Sequence, residues 1–291
     1  MIKPSTFSIV AFDPREAAWG VAVASKFPAV GCVVPWAKAN AGAIATQAFA
    51  NTSFGSLGLN MLEQNWSAET ALKSLLAGDP QAASRQVGIV DANGRSVTYT
   101  GSECFEWAGG MNGDGFAIQG NILTGPEVIA SMADTFIHQH GNLAWRLYQS
   151  LLAGDLAGGD RRGKQSAAIL VVKSQGGYGG YNDRWIDYRV DDHPDPVSRL
   201  GELLKLHDLY FGKSPVEQRI PLEGEVLQRL QVLLQHLGYY QGEAHMQYDP
   251  PTRQALRSFI GNENFEERSD IEVGWIDAPV LEFLFQRFAL P

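Results

Sequence analysis

Cysteine is scarce in this chain: Cys32 and Cys104 are the two among 291 residues, far apart and in no zinc or redox spacing. A disulfide scaffold is thereby excluded, and both residues read as reduced core positions of a cytoplasmic protein. Long apolar runs are lacking as well. No segment approaches the roughly 18 consecutive apolar residues of a membrane span, and the opening Met-Ile-Lys-Pro-Ser-Thr has no apolar stretch behind a basic patch, so neither membrane nor export is expected. Positive charge is in deficit, 23 Lys and Arg against 32 Asp and Glu, a net charge of -9. That balance argues against nucleic acid and anionic membrane as partners and leaves small-molecule or peptidyl ligands. No cofactor and no metal are expected. Gly176-Gly-Tyr-Gly-Gly180 lacks the helix and lysine of a phosphate cradle, and Asp191-Asp-His-Pro-Asp195 reads as a capped turn before a helix rather than a hard-metal site.

What is abundant is apolar residues, 45% of the chain, enough for one large domain or for a medium and a small one. The pattern favours two, at 1–212 and 216–291. Thr6-Phe-Ser-Ile-Val-Ala-Phe12 and Trp19-Gly-Val-Ala-Val-Ala-Ser-Lys26 read as strands joined by a turn at Asp13-Pro14-Arg15-Glu16. Strands are also expected at 30–34, 41–46, 85–90, 96–100, 116–120, 165–172 and 185–190, with helices through 57–77, 126–138, 143–153 and 200–209. Strand groups and helix groups alternate without strict βαβ order, which predicts two packed sheets with helices outside. Beyond a Gly- and Pro-bearing linker at 211–216, three amphipathic helices follow at 226–237, from the Asp249 cap, and at 278–288, with Gly238 closing the first.

Several motifs in order resemble one family, DUF1028: Thr6-Phe-Ser-Ile-Val, Gly20-Val-Ala-Val-Ala-Ser-Lys26, Val33-Val-Pro-Trp-Ala37, Ala45-Thr-Gln-Ala48, Gln119-Gly-Asn121, Gly158-Gly-Asp-Arg-Arg-Gly163, Gln165-Ser166 and Val190-Asp-Asp-His-Pro-Asp-Pro-Val197. The likeness spans about 1–212. That family is grouped with the N-terminal nucleophile hydrolases, which implies an α+β fold, a four-layer αββα sandwich, followed here by a small all-α three-helix domain. The tail, with Leu227-Gln-x-Leu-Gln-x-Leu-Leu-x-x-Leu-Gly-Tyr-Tyr240, Thr252-Arg253 and Phe259, is similar to peptidoglycan-binding-like three-helix domains. It departs from them at Ala244-His-Met-Gln247, where an Asp-Gly turn is usual.

The resemblance implies an amide or peptide-like bond hydrolase whose nucleophile is Thr6, aided by its own α-amine as base. Lys38, the thirty-third residue counted from Thr6, matches the lysine of proteasome-type members, and Lys26 is its rival. Asn121, Asp160 and Ser166 resemble the supporting residues, while Gln119, Arg161 and Arg162 are candidates for holding a carbonyl, carboxylate or phosphate. Each has a plainer reading: Thr6 as a strand-opening residue, the lysines as solvated strand ends, Gln119-Gly-Asn121 as a turn, the 158–163 segment as a salt-bridged loop. The mechanism also needs cleavage between Ser5 and Thr6, because an amide nitrogen is no base. The opposing expectation is an unprocessed, non-catalytic member that binds a small anionic or peptidyl ligand or acts as a scaffold. A homodimer or higher homo-oligomer is expected from the need to cover strand edges.

Overall fold

The computed structural model describes residues 6–288, which divide after Leu203 into two compact units. The first unit opens with the hairpin β1 (Thr6–Asp13) and β2 (Ala18–Ser25). Its turn is fixed by the Asp13 carboxylate, which accepts the Arg15 backbone N–H at 2.8 Å and pairs with the Arg15 and Arg146 guanidiniums at 2.8 and 3.1 Å. The strand expected over 30–34 is instead a 3₁₀ turn at Val30–Cys32, entered through Ala29 in the left-handed region. Apolar content alone had suggested a strand, but the Val30 N–H is taken by the Ser166 hydroxyl and not by a neighbouring strand.

The chain then runs through β3 (Pro35–Lys38), β4 (Gly42–Ala48), α1 (Ser53–Glu63), α2 (Ala68–Ala77), β5 (Arg85–Asp91), β6 (Ser96–Thr100), β7 (Gly109–Gly113) and β8 (Phe116–Asn121). The single helix expected over 57–77 is two. Ser67 accepts the Thr70 N–H as a true N-cap, so the chain stops and restarts there. After α3 (Glu127–His138) and α4 (Leu143–Leu156) come β9 (Ser166–Lys173), β10 (Arg184–Val190) and α5 (Pro196–Phe211), and the division between units falls inside α5.

Two antiparallel sheets result, one ordered β10-β9-β2-β1-β8-β7 and one ordered β3-β4-β5-β6. They face each other across an apolar cluster that includes Val10, Val21 and Val23 from one and Ala43, Ala45 and Val90 from the other. Small side chains on both sides bring the layers close. Leu59, Leu62, Leu72 and Leu75 of α1 and α2 cover the outer face of the four-stranded sheet against Ile44, Val87 and Ile89. Each such leucine, once buried, contributes about 1.5–3 kcal/mol. On the six-stranded sheet, α4 packs so tightly that a Cβ on Gly20 would lie 2.7 Å from Leu147 and one on Gly154 3.3 Å from Phe7.

The second unit is a cluster of α6 (Gly224–His236), α7 (Pro250–Glu263) and α8 (Ala278–Arg287) with a small sheet, β11 (Arg219–Pro221), β12 (Ser269–Asp270) and β13 (Trp275–Asp277), ordered β11-β13-β12. The expected helices are there; the sheet, made of two- and three-residue strands, left no periodic signal. Leu227, Leu230, Leu256, Phe259 and Leu284 fill the core. Arg268, buried, donates to Asp277 at 2.7 Å and to Ser214 at 2.9 Å. Neither cysteine is a core residue as expected, and neither is in a disulfide: Cys32 is exposed with its sulfur accepting from Arg189 at 3.1 Å, and Cys104 is half-buried with its thiol on the Arg85 carbonyl at 3.4 Å. Among the described residues, no helix is long and apolar enough to cross a membrane.

Candidate functional site

In an antiparallel sheet, directly paired residues put their side chains on the same face. The register pairs Asn121 with Thr6, Thr6 with Ser25 and Ser25 with Ser166, so one polar row crosses four strands, β8, β1, β2 and β9. The row faces the second sheet, because the Asn121 side-chain amide donates across the gap to Gln86 on β5 at 2.8 Å. Two residues along, Ser8 and Gln119 pair in the same sense and make a second polar row.

The opposing sheet answers with Gln47 and Gln86, themselves a register pair. Gln47 Nε2 shares its hydrogens among the Thr6 carbonyl at 3.2 Å, the Gln119 carbonyl at 3.3 Å and Gln86 Oε1 at 2.9 Å, and its Oε1 accepts from the Ser8 hydroxyl at 2.6 Å. Gln86 Nε2 donates to the Gly120 carbonyl at 2.7 Å, the Gly109 carbonyl at 3.2 Å and Thr100 at 2.9 Å. Thr6, Ser8, Gln47, Gln86 and Gln119 are each 0% exposed. A buried polar group left without a partner costs about 1–3 kcal/mol, so a cluster of this size persists only because its members satisfy one another.

Thr6 Oγ1 donates to Ser25 Oγ at 3.3 Å, which places the predicted nucleophile and a second hydroxyl side by side at the end of the hairpin. Beyond Ser25, the backbone N–H of Lys26 donates to Asp160 Oδ2 at 2.8 Å, and Arg162 grips the same carboxylate through Nε at 3.2 Å and Nη2 at 3.0 Å. Ser166 ties down the following segment, donating to the Phe27 carbonyl at 2.5 Å and accepting the Val30 N–H at 3.1 Å. Thr6, Asn121, Ser166, Asp160 and the backbone of Lys26 are thus gathered at one end of the six-stranded sheet. The Lys26 ammonium itself turns to the Lys164 carbonyl at 3.2 Å.

Other assignments fail. Lys38 pairs with Gly42, five residues along β4 from the Gln47 that holds Thr6. At about 3.4 Å per residue those points are about 17 Å apart. The Lys38 ammonium pairs with Glu63 at 2.6 Å, and a spacing that matches in sequence does not bring this lysine to Thr6. Gln119 is no ligand-binding amide either: its NH₂ serves the Ser8 hydroxyl at 2.7 Å and carbonyl at 3.3 Å, and its Oε1 accepts from Thr98 at 3.3 Å. Arg162 is held by Asp160, and Arg161 beside it is exposed. The 191–195 segment is a turn, with His193 Nδ1 accepting the Asp195 N–H at 3.0 Å ahead of α5. Among the described residues, no group of three or more His, Cys, Asp or Glu side chains could hold a metal ion.

Ser8, Ser25, Gln47, Gln86, Asp155 and Lys164 escaped the sequence reading. Gln47 and Gln86 did carry a signal, since each is the one amide side chain of a fully buried strand. Lys164 sits beside a cavity of about 70 Å³ that Phe7, Ser25, Asp155 and Asp160 also line. Burial pulls its ammonium down, but the Asp155 carboxylate at 2.5 Å, helped by Asp195, outweighs this and holds it above the ordinary lysine value.

Residues 6–200 match the model described as "Family of unknown function (DUF1028)", and residues 210–284 match "Putative peptidoglycan binding domain". Among solved structures, the chain is similar to the crystal structure of protein SPO2555 from Silicibacter pomeroyi, described as DUF1028, at 30% identity and a TM-score of 0.64, over 70% of this chain and 89% of that one. No curated protein matches the chain.

Proposed function

The chain belongs to the DUF1028 family, and from that premise we propose that it is an amide or peptide-like bond hydrolase of the N-terminal nucleophile kind, with Thr6 as nucleophile after removal of residues 1–5. The observation that carries this reading is the row Asn121, Thr6, Ser25 and Ser166, a line of hydroxyl and amide side chains between two stacked sheets. The layering supports it, since helices against the outer faces of two facing sheets are what the αββα sandwich of that superfamily requires.

Cleavage before Thr6 would convert an amide nitrogen into an amine with a pKa near 8. The amine would take the Oγ1 proton as Oγ1 attacks the substrate carbonyl; as the C–N bond breaks, the same proton would pass to the departing amine. Water would then open the Thr6 ester. Ser25 would orient the hydroxyl it already touches. Gln47 would fix the Thr6 carbonyl, and Asp160 and Ser166 would hold the 26–30 segment behind the site. The likeness of the tail to a peptidoglycan-binding domain makes peptide-bearing ligands the first substrate class to test.

One observation favours a second reading, an unprocessed member that binds a ligand or scaffolds an assembly: Thr6 is wholly buried and its carbonyl is already committed to Gln47. Intact mass of the purified chain, combined with a panel of amide substrates, separates the two. A mass lacking residues 1–5, with hydrolysis that Thr6→Ala abolishes, supports the hydrolase. A full-length chain that hydrolyses nothing supports the second reading, and hydrolysis by a full-length chain overturns the Thr6 mechanism.

A further inference from the structure

Lys38, left unused by the chemistry at Thr6, lines a cleft of about 460 Å³ at the other end of β4. That volume lies within the roughly 300–1,000 Å³ of small-molecule sites. Its walls come from two places, β3 with the turn after it, and the end of β9 with the connection into β10. Ala37, Ala39 and Val172 give it an apolar side, and Lys38, Asp183 and Arg184 give it charge of both signs. A hydrogen bond from Asn40 Nδ2 to Ser174 Oγ at 3.0 Å ties the two walls together.

The charged groups keep capacity for a ligand. The Lys38 ammonium has three donors, and its ion pair with Glu63 leaves room for a further acceptor. Arg184 meets Asp187 at 3.1 Å, but Asp187 is shared with Arg189 at 3.5 Å, so two guanidiniums divide a single carboxylate. On Asp183, Oδ1 accepts the Gln175 N–H at 3.0 Å and Oδ2 is left for another donor. With Glu63 on Lys38 and Asp187 on Arg184, the cleft carries charge of both signs beside an aliphatic wall and suits neither a plain anion, which Asp183 would repel, nor a plain cation.

We propose that this cleft binds a small zwitterion of the α-amino-acid type, with its carboxylate at Lys38 and Arg184, its ammonium at Asp183 and an aliphatic side chain on Ala37, Ala39 and Val172. The site is independent of whether Thr6 is ever a nucleophile. Calorimetric titration of the full-length chain with L-leucine, N-acetyl-L-leucine and L-leucinamide tests it, since the two derivatives remove one charge each. Leucine binds saturably and both derivatives bind more weakly. Lys38→Ala with Arg184→Ala weakens leucine by about tenfold or more while leaving the melting temperature in place, because both side chains are exposed. Asp183→Asn reduces the preference for leucine over N-acetyl-leucine, an effect that general loss of structure does not give. Arg184→Ala alone serves if the double variant does not fold. Equal binding by wild type and variants, derivatives that bind as well as leucine, or no binding of leucine at millimolar concentration overturns the assignment.

Discussion

At the scale of single residues, the first unit concentrates its risk in polar side chains that water does not reach. The Asp79 carboxylate is gripped by the Arg85 guanidinium at 2.7 Å, with side chains 5% and 7% exposed, and Asn51 adds a hydrogen bond at 3.1 Å. Arg85 holds the carboxyl far below its usual value of 3.8 against the opposing effect of burial. A depressed carboxylate stabilises the fold at every pH above its unfolded value, and the contribution drains away as pH falls through about 4 toward the folded value. Asp79→Asn therefore lowers stability at neutral pH by about 2–3 kcal/mol, as measured by urea unfolding, and flattens the acid limb of the stability curve. Gln86 is the matching case without charge. Gln86→Glu keeps an acceptor for Gln47 and Asn121 but deprives the Gly109 and Gly120 carbonyls of their donor and buries a negative charge. The expected loss is about 3 kcal/mol or more at pH 7, partly recovered on acidification as the carboxyl regains a proton; thermal melts at two pH values read it.

At the scale of elements, long periodic segments were legible and short or polar ones were not. The hairpin, β5, β8, β9 and the longer helices follow from alternation and three-and-four spacing, with Asp249 as the N-cap that the sequence marked; the Asn142 cap of α4 emerged with the structure. Asn142→Ala removes the acceptor for the Trp145 N–H and costs about 1 kcal/mol, measurable as a fall in melting temperature. The strand β7, Gly-Gly-Met-Asn-Gly, was missed because its residues favour turns and it holds its place by pairing with β8. Of the candidate residues, Asn121, Thr6 and Ser166, singled out through motif likeness, share one row in the structure. Ser25 and the two facing glutamines were missed because which residues face them depends on register, and Lys38 was misplaced because counting along the chain ignores the direction of β4. Gly88 shows how closely the sheets meet, since a Cβ there would lie 2.0 Å from Gln119 Oε1. Gly88→Ala displaces Gln119 from Ser8 and Thr98 and lowers stability by about 2 kcal/mol or more, with no change expected from a surface control such as Lys73→Ala beyond a few tenths of that.

For the whole molecule, two compact units with separate cores predict two thermal transitions. Arg268→Ala strands the buried Asp277 carboxylate, so scanning calorimetry should show one transition falling, by the equivalent of about 3–5 kcal/mol, while the other stays. A single transition that shifts as a whole would show the units unfolding together. The interior around Thr6 has a different property. Thr6, Ser8, Ser25, Gln47, Gln86, Gln119, Asn121 and Ser166 include no side chain that ionises in the range from acid to mild alkali. Charge lies at its edge, where Asp155, Asp160 and Lys164 line a cavity with Ser25. Were the chain ever cut before Thr6, the new amine would be the one ionising group within this row, and a titration with a midpoint displaced from that of an ordinary amine, followed at Thr6 by NMR, would announce the cut.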